Sequence, residues 1–157
     1  MTVPSSNGVT FIPALVGLGA PHWRNDVRGE ISGLALGTQP AHLARAAVEA
    51  VAFQVADVFS AMEADIGAPL SGLSVDGGAS RNDFLMQFQA DILDRPLRRG
   101  RFPEVSALGA ASVAFHGLGL GMTAGGGAQT LFAAAMPADT RKTHLAGWRK
   151  AIDHLLV

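Results

Sequence analysis

Cysteine is absent from this chain of 157 residues, and lysine occurs only as Lys142 and Lys150. The first absence excludes a disulfide scaffold, a cysteine nucleophile and thiolate metal sites, and it suits the cytoplasm. The second excludes a phosphate loop of the Gly-x-x-x-x-Gly-Lys type, because neither lysine follows a glycine-rich stretch. An excess of one charge is missing too. Lys and Arg number 12 against 13 Asp and Glu, for a net charge of -1. Such a balance supplies no field to gather nucleic acid or a membrane surface, so neither is expected as a partner. The opening MTVPSSNG has neither a basic nor an apolar leader region.

Long apolar runs are also scarce. Residues 105–138 contain no Asp, Glu, Lys or Arg, but Gly117, Gly119, Gly121, Gly125, Gly126 and Gly127 interrupt them. A membrane-spanning helix needs about 20 continuous, mostly apolar residues. A buried helix followed by a Gly-rich loop is the expectation instead. The dinucleotide pattern Gly-x-Gly-x-x-Gly fails twice, with His22 and Ala124 where a third glycine should stand. The histidines His22, His42, His116, His144 and His154 are scattered without ligand spacing, and no metal site is assigned.

What is present is a foldable chain, 48% hydrophobic and 16% charged. At this length one domain can bury enough surface to be stable without staples. Residues 9–15 and 30–36 read as β-segments around the loop GLGAPHWRNDVRG. A long helix follows, with Thr38 as the expected N-cap, Pro40 in its first turn and Gly67 and Pro69 at its end. Leu43, Ala47, Val51, Val55, Val58 and Met62 form one apolar stripe at helical spacing, and Val48, Ala52 and Phe59 add a second. That arc predicts packing against a sheet. Residues 73–76 read as a buried strand, 81–93 as a helix with Ser80 and Asp83 at capping-box spacing, and 96–100 as another strand. Residues 107–116 predict a helix whose small residues allow a close neighbour, and 145–156 a terminal helix. This order argues for an α/β domain.

The strongest local candidate is VDGGASRND at residues 75–83. A strand runs into two glycines and then a helix. Glycines admit a ligand close to the backbone, and helix N-terminal N–H groups face whatever lies above them. Asn82 adds an amide that can both donate and accept. An adenosine or phosphate suits this arrangement; a tight turn with no ligand is the alternative. Arg95, Arg98, Arg99 and Arg101 form a basic cluster without interleaved aromatics, which predicts a solvated strand edge protected by charge.

With these segments in view, the chain resembles the FGGY family of carbohydrate kinases, most closely its glycerol-kinase branch. GEISGLALGTQPAHLARAAVE at residues 29–49 resembles that family's second signature. FIPALVGLGAPHW at 11–23, VDGGASRNDFLMQFQADIL at 75–93, SALGAA at 106–111 and AGWRKAI at 146–152 are similar to its other C-terminal segments, in order. The resemblance implies an actin-, Hsp70- and hexokinase-like (ribonuclease H-like) ATPase fold, here its C-terminal part, with a mixed sheet and packed helices. Residues 1–157 would form one incomplete C-terminal nucleotide-binding domain, its N-terminal substrate domain lying elsewhere. The resemblance carries nucleotide contacts onto Gly77, Gly78 and Asn82. It implies ATP as co-substrate, with Mg2+ held mainly by ATP and the N-terminal domain, and a hydroxyl of glycerol or a related polyol or sugar as acceptor. The family's catalytic Asp and phosphate loop have no counterpart among these residues, so no catalytic residue is assigned and the chain alone is expected to be inactive. A homo-oligomer is compatible with the resemblance. The alternatives are a stand-alone nucleotide-binding or regulatory module without kinase activity, and a pure interaction domain.

Overall fold

The structure is a computed structural model that describes residues 2–102, 104–121 and 128–157. Most of the expected Gly-rich loop, including Gly125 to Gly127, lies outside those residues.

Strand β1 (Thr10–Ile12) pairs antiparallel with β2 (Glu30–Ser32), with Phe11 opposite Ile31. Helix α1 (Pro40–Ile66) then runs 27 residues. Pro40 opens it as expected, but Gln39 rather than Thr38 is the cap. The Thr38 hydroxyl is engaged one turn earlier, accepting the Ala35 N–H at 2.9 Å, while the Gln39 N–H donates to His42 Nδ1 at 3.0 Å. At the far end Gly67 takes a left-handed φ of 71° and its N–H returns to the Glu63 carbonyl. That conformation is strained for any residue with a Cβ.

The face α1 buries includes Ala52 and Phe59 of the second expected stripe but differs from the first. Ala46, Ala50, Phe53, Ala56 and Phe59 are buried, whereas Val51, Val58 and Met62 are 40%, 37% and 48% exposed. Alanines let β1 and the next helix approach closely, so the bulkier valine stripe is turned away from them. Glu49 is buried as well, and Arg45 one turn before it donates to its Oε1 at 2.7 Å. A buried carboxylate is tolerable only with such a partner.

Strand β3 (Leu73–Val75) lies parallel to β4 (Leu97–Arg99), which lies antiparallel to β5 (Thr130–Phe132), in the order β3-β4-β5. The sheet is therefore mixed, as expected. Helix α2 (Asp83–Leu93) joins β3 to β4 and packs against α1. Helix α4 (Ala138–Leu156) begins a full two turns before the expected point, because its first half, ADTRKTH, is polar and shows no apolar stripe. Its inner half anchors the core. Trp148 stacks on Phe53 with ring centroids 5.2 Å apart, and Phe53 meets Phe88 edge-on at 5.6 Å. Such aromatic pairs contribute about 0.5–1.5 kcal/mol beyond area burial. Helix α3 (Val105–Gly117) corrects another expectation: among the described residues it buries none of its own, so its small residues meet no close neighbour. No helix among the described residues is long and apolar enough to cross a membrane.

Candidate functional site

The carboxyl end of β3 leads through Asp76 to the two glycines. Gly77 takes φ 83° and ψ 173°, a region essentially reserved for glycine. Gly78–Arg81 then form a single 3-10 turn. Ser80 is buried inside that turn and its hydroxyl donates to the Gly77 carbonyl at 2.7 Å. The expected Ser80–Asp83 capping box is therefore not formed, since the serine hydroxyl is already used. Asn82 caps α2 instead: its Oδ1 accepts the Leu85 N–H at 3.2 Å. The side-chain NH2 of Asn82 has no partner among the described residues.

A Cβ built on Gly77 or on Gly78 meets nothing within 4 Å. Gly77 is required by its backbone angle. Gly78 is not, since its φ is negative, and the space beside it is open. The turn thus presents bare backbone, at the carboxyl ends of two parallel strands, where open α/β sheets characteristically receive ligands. Gly77, Gly78 and Asn82 all lie on this turn.

The turn lies between two clefts. One, of about 410 Å³, is bordered by Ser74, Val75, Asp76, Ala79 and Met86. The other, of about 370 Å³, is polar and bordered by Ser80, Arg81, Asp83, Arg99, Gly100 and Arg101. Arg99 spans this second wall. Its Nη1 donates to the Ser80 carbonyl and to Asp83 Oδ1, both at 2.7 Å, and its guanidinium lies 5.1 Å from the Phe132 ring centre. The basic cluster is therefore not a uniform solvated edge. Arg99 clamps the turn, and Arg95 donates to the Leu70 carbonyl at 2.9 Å and to Glu63 at 3.3 Å. Only Arg98 and Arg101 are turned to solvent as expected. The clamp was hidden in the sequence because it joins groups distant along the chain.

Chemically the turn can hold a ligand by close backbone approach and by one side-chain amide. It offers no nucleophile beside a base. Among the described residues no three His, Asp or Glu side chains are grouped to hold a metal ion.

Comparison with known proteins follows the same lines. Residues 1–118 match the FGGY family of carbohydrate kinases, C-terminal domain. A glycerol kinase of Stenotrophomonas maltophilia (strain R551-3) is 49% identical over 157 residues, covering 96% of this chain and 31% of its own length. One from Aromatoleum aromaticum is 46% identical over 159 residues, covering 97% of this chain and 32% of its own. Among solved structures, Plasmodium falciparum glycerol kinase with ADP superposes with a TM-score of 0.83 at 32% identity, over 99% of this chain and 32% of that one. A ligand-bound xylulose kinase from Lactobacillus acidophilus superposes with a TM-score of 0.80 at 25% identity, over 99% and 33%. The chain spans about a third of the length of the curated relatives it matches.

Proposed function

Since this chain belongs to the FGGY family of carbohydrate kinases and carries that family's C-terminal domain, we propose that it is the ATP-binding portion of a kinase for glycerol or a related polyol or sugar. The observation that carries the reading is the open backbone at Gly77 and Gly78 beside the NH2 of Asn82, which has no partner among the described residues. A relative with this fold is described with ADP, and the relatives most like this chain in sequence include glycerol kinases. In this reading Gly77 and Gly78 let the nucleotide approach the main chain, and Asn82 donates to its adenosine end.

Phosphoryl transfer needs a base for the hydroxyl proton, a metal on the phosphates and exclusion of water. The residues named here bind and orient only. Mg2+ is held mainly by ATP and by polypeptide outside these residues, and the polyol sits there too. The isolated chain is accordingly inactive, and the working enzyme is cytoplasmic. Calorimetric titration with ATP, and ADP release with glycerol, test this on the chain alone and beside the remainder of a glycerol kinase. Nucleotide binding without glycerol-dependent turnover in the first case, and turnover in the second, are expected. No nucleotide binding in either would overturn the reading. Nucleotide binding with no turnover in either case would instead select a nucleotide-binding module without kinase activity.

A further inference from the structure

The carboxylate of Glu49 is only half used. Its side chain is 4% exposed, and its Oε1 accepts from Arg45 Nε at 2.7 Å. Its Oε2 has no partner among the described residues. That oxygen is not sealed in, because every fully enclosed side-chain nitrogen or oxygen among those residues has a partner. The opening is a cavity of about 280 Å³ that Glu49 borders, between the segment leading into β1 and helices α1 and α4. A largely buried carboxylate oxygen of this kind favours whatever can donate to it.

The rest of the lining decides what kind of donor fits. Ser5, Ser6 and Thr10 bring hydroxyls and Asn7 brings an amide. Phe11, Phe53 and Trp148 supply ring walls, with His144 and Gly147 on the α4 side. Among the described residues no Asp, Lys or Arg borders the cavity. The charge of Glu49 is already balanced by Arg45, which is itself held by the Val3 carbonyl at 2.8 Å and lies over the Phe84 ring. A cation would therefore enter with no unpaired negative charge to meet, and an anion would face the carboxylate. An apolar molecule would leave Oε2 dry and unpaired. A neutral molecule with several hydroxyls satisfies the whole lining. Its hydroxyls donate to Glu49 and exchange bonds with the serines and Asn7, while its C–H groups rest on the rings.

We infer that this cavity is a binding site for a small neutral polyol, between glycerol and a monosaccharide in size, anchored by Glu49 Oε2. Ligand pockets commonly measure roughly 300–1,000 Å³, so a cavity of about 280 Å³ admits only a small molecule. The site stands apart from the nucleotide turn, since Gly77, Gly78 and Asn82 do not border it. It is independent of the nucleotide reading and additional to any acceptor site of a complete kinase. A ligand here touches the segment before β1, α1 and α4 together, so binding should also stabilise their junction.

The test is an NMR titration of the chain with glycerol, with xylitol, and with putrescine as a cationic control. At least one polyol should shift the Ser6, Asn7 and Gly147 amides saturably, with half-saturation at about 1–10 mM, the scale open to so small a ligand. Putrescine should not. Gly147→Leu should abolish the binding. A Cβ there meets nothing within 4 Å, and a helical side chain leans toward the preceding turn, where His144 borders the cavity. Replacing a helical glycine also favours the helix, so this variant should melt no lower than the parent. Ser6→Ala removes a hydroxyl that makes no hydrogen bond among the described residues, and should weaken binding severalfold in an unperturbed fold. Absence of saturable shifts with both polyols overturns the proposal. So does polyol binding unchanged in Gly147→Leu and Ser6→Ala alike, which would place the ligand elsewhere. Putrescine binding more tightly than either polyol overturns it too, by making the cavity a cation site.

Discussion

Asn82 Oδ1 accepts the backbone N–H of Leu85 at 3.2 Å, so the side chain proposed to touch nucleotide is also the one that starts α2. The two roles use different atoms, and substitutions can separate them. Asn82→Ala removes both. Loss of the cap costs about 0.5–2 kcal/mol of stability, and loss of one neutral hydrogen bond about 0.5–1.5 kcal/mol of ATP binding. Asn82→Asp retains the capping oxygen but not the NH2 donor. It should match the parent in urea denaturation while weakening ATP at least as much as Asn82→Ala in calorimetry. In the complete kinase the maximal rate should fall little for Asn82→Ala, because the contact is made equally in ground and transition states. A rate collapse at saturating ATP would place Asn82 in the chemistry.

The two glycines should respond to alanine in opposite ways. Gly77 sits at φ 83° and ψ 173°, so Gly77→Ala should cost of order 1–3 kcal/mol of stability from backbone strain. Gly78 has no such angle and no neighbour for a Cβ within 4 Å. Gly78→Ala should leave stability within about 0.5 kcal/mol, as surface changes usually do, yet weaken ATP binding by occupying the approach to the backbone. Unchanged affinity in a folded Gly78→Ala protein would mean that nucleotide does not lie on this turn.

Core and clasp make a third prediction. Trp148 Nε1 donates to Asp57 Oδ2 at 2.8 Å while the indole stacks on Phe53, tying α4 to α1. Trp148→Phe keeps a ring on Phe53 and removes the donor to a carboxylate. Hydrogen bonds to charged groups contribute about 1.5–3 kcal/mol, and the half-buried Asp57 can recover water, so a loss near the lower end is expected. Trp148→Ala adds a cavity and should cost about 3–5 kcal/mol. Equal denaturation midpoints for the two variants would show that the ring contributes little beyond its N–H.

The ends of α1 were legible in the sequence because Pro40 and Gly67 act locally. Its buried face was legible only in part, at Ala52 and Phe59. Ala46, Ala50 and Ala56 carry little hydrophobic signal, but their small size decides which side can come close, and Arg45 makes the burial of Glu49 possible only once the helix exists. β5 lay unread within a charge-free stretch next to a glycine run, where register with β4 rather than local preference makes the strand. The candidate turn was legible because two glycines between a strand and a helix mark a tight turn locally. Its internal wiring was not: Ser80 and Asn82 are both good caps on paper, and the closure of Ser80 onto Gly77 decides between them.

A pH dependence follows from the loop before α1. Arg24 donates from Nε and Nη2 to the two oxygens of Asp26, at 2.8 and 2.7 Å, and from Nη1 to the Leu156 carbonyl at 3.1 Å. The hydrogen bonds from Arg24 lead in lowering the Asp26 carboxyl from 3.8 to about 2. A depressed carboxylate stabilises the fold above its unfolded value and ceases to as the pH falls through its folded one. The contribution should thus be complete above about pH 4 and gone near pH 2. An NMR titration should place the Asp26 midpoint well below that of Asp in peptides, and Asp26→Asn should remove this part of the acid dependence. A midpoint at the peptide value would mean that the pair is not held in solution.

The arginines divide by what they hold. Arg98 is exposed and forms no side-chain hydrogen bond or ion pair among the described residues, so Arg98→Gln should change stability and nucleotide affinity little, ~0–1 kcal/mol. Arg99 is different. Its one guanidinium nitrogen bridges the Ser80 carbonyl and Asp83 Oδ1, joining the end of β4 to the turn and to the first residue of α2. Its side chain is 21% exposed but that of Asp83 is 76% exposed, so the ion pair itself is weak and the bond to the Ser80 carbonyl dominates. Arg99→Gln should therefore destabilise by about 1–2 kcal/mol, and Asp83→Asn by clearly less. Because Ser80 closes back onto Gly77, loosening its carbonyl should also loosen the turn that faces nucleotide. ATP affinity in the complete kinase should fall severalfold for Arg99→Gln and stay unchanged for Arg98→Gln. Calorimetry on the two variants side by side is the check, and an equal effect of both would return the cluster to a uniform surface charge.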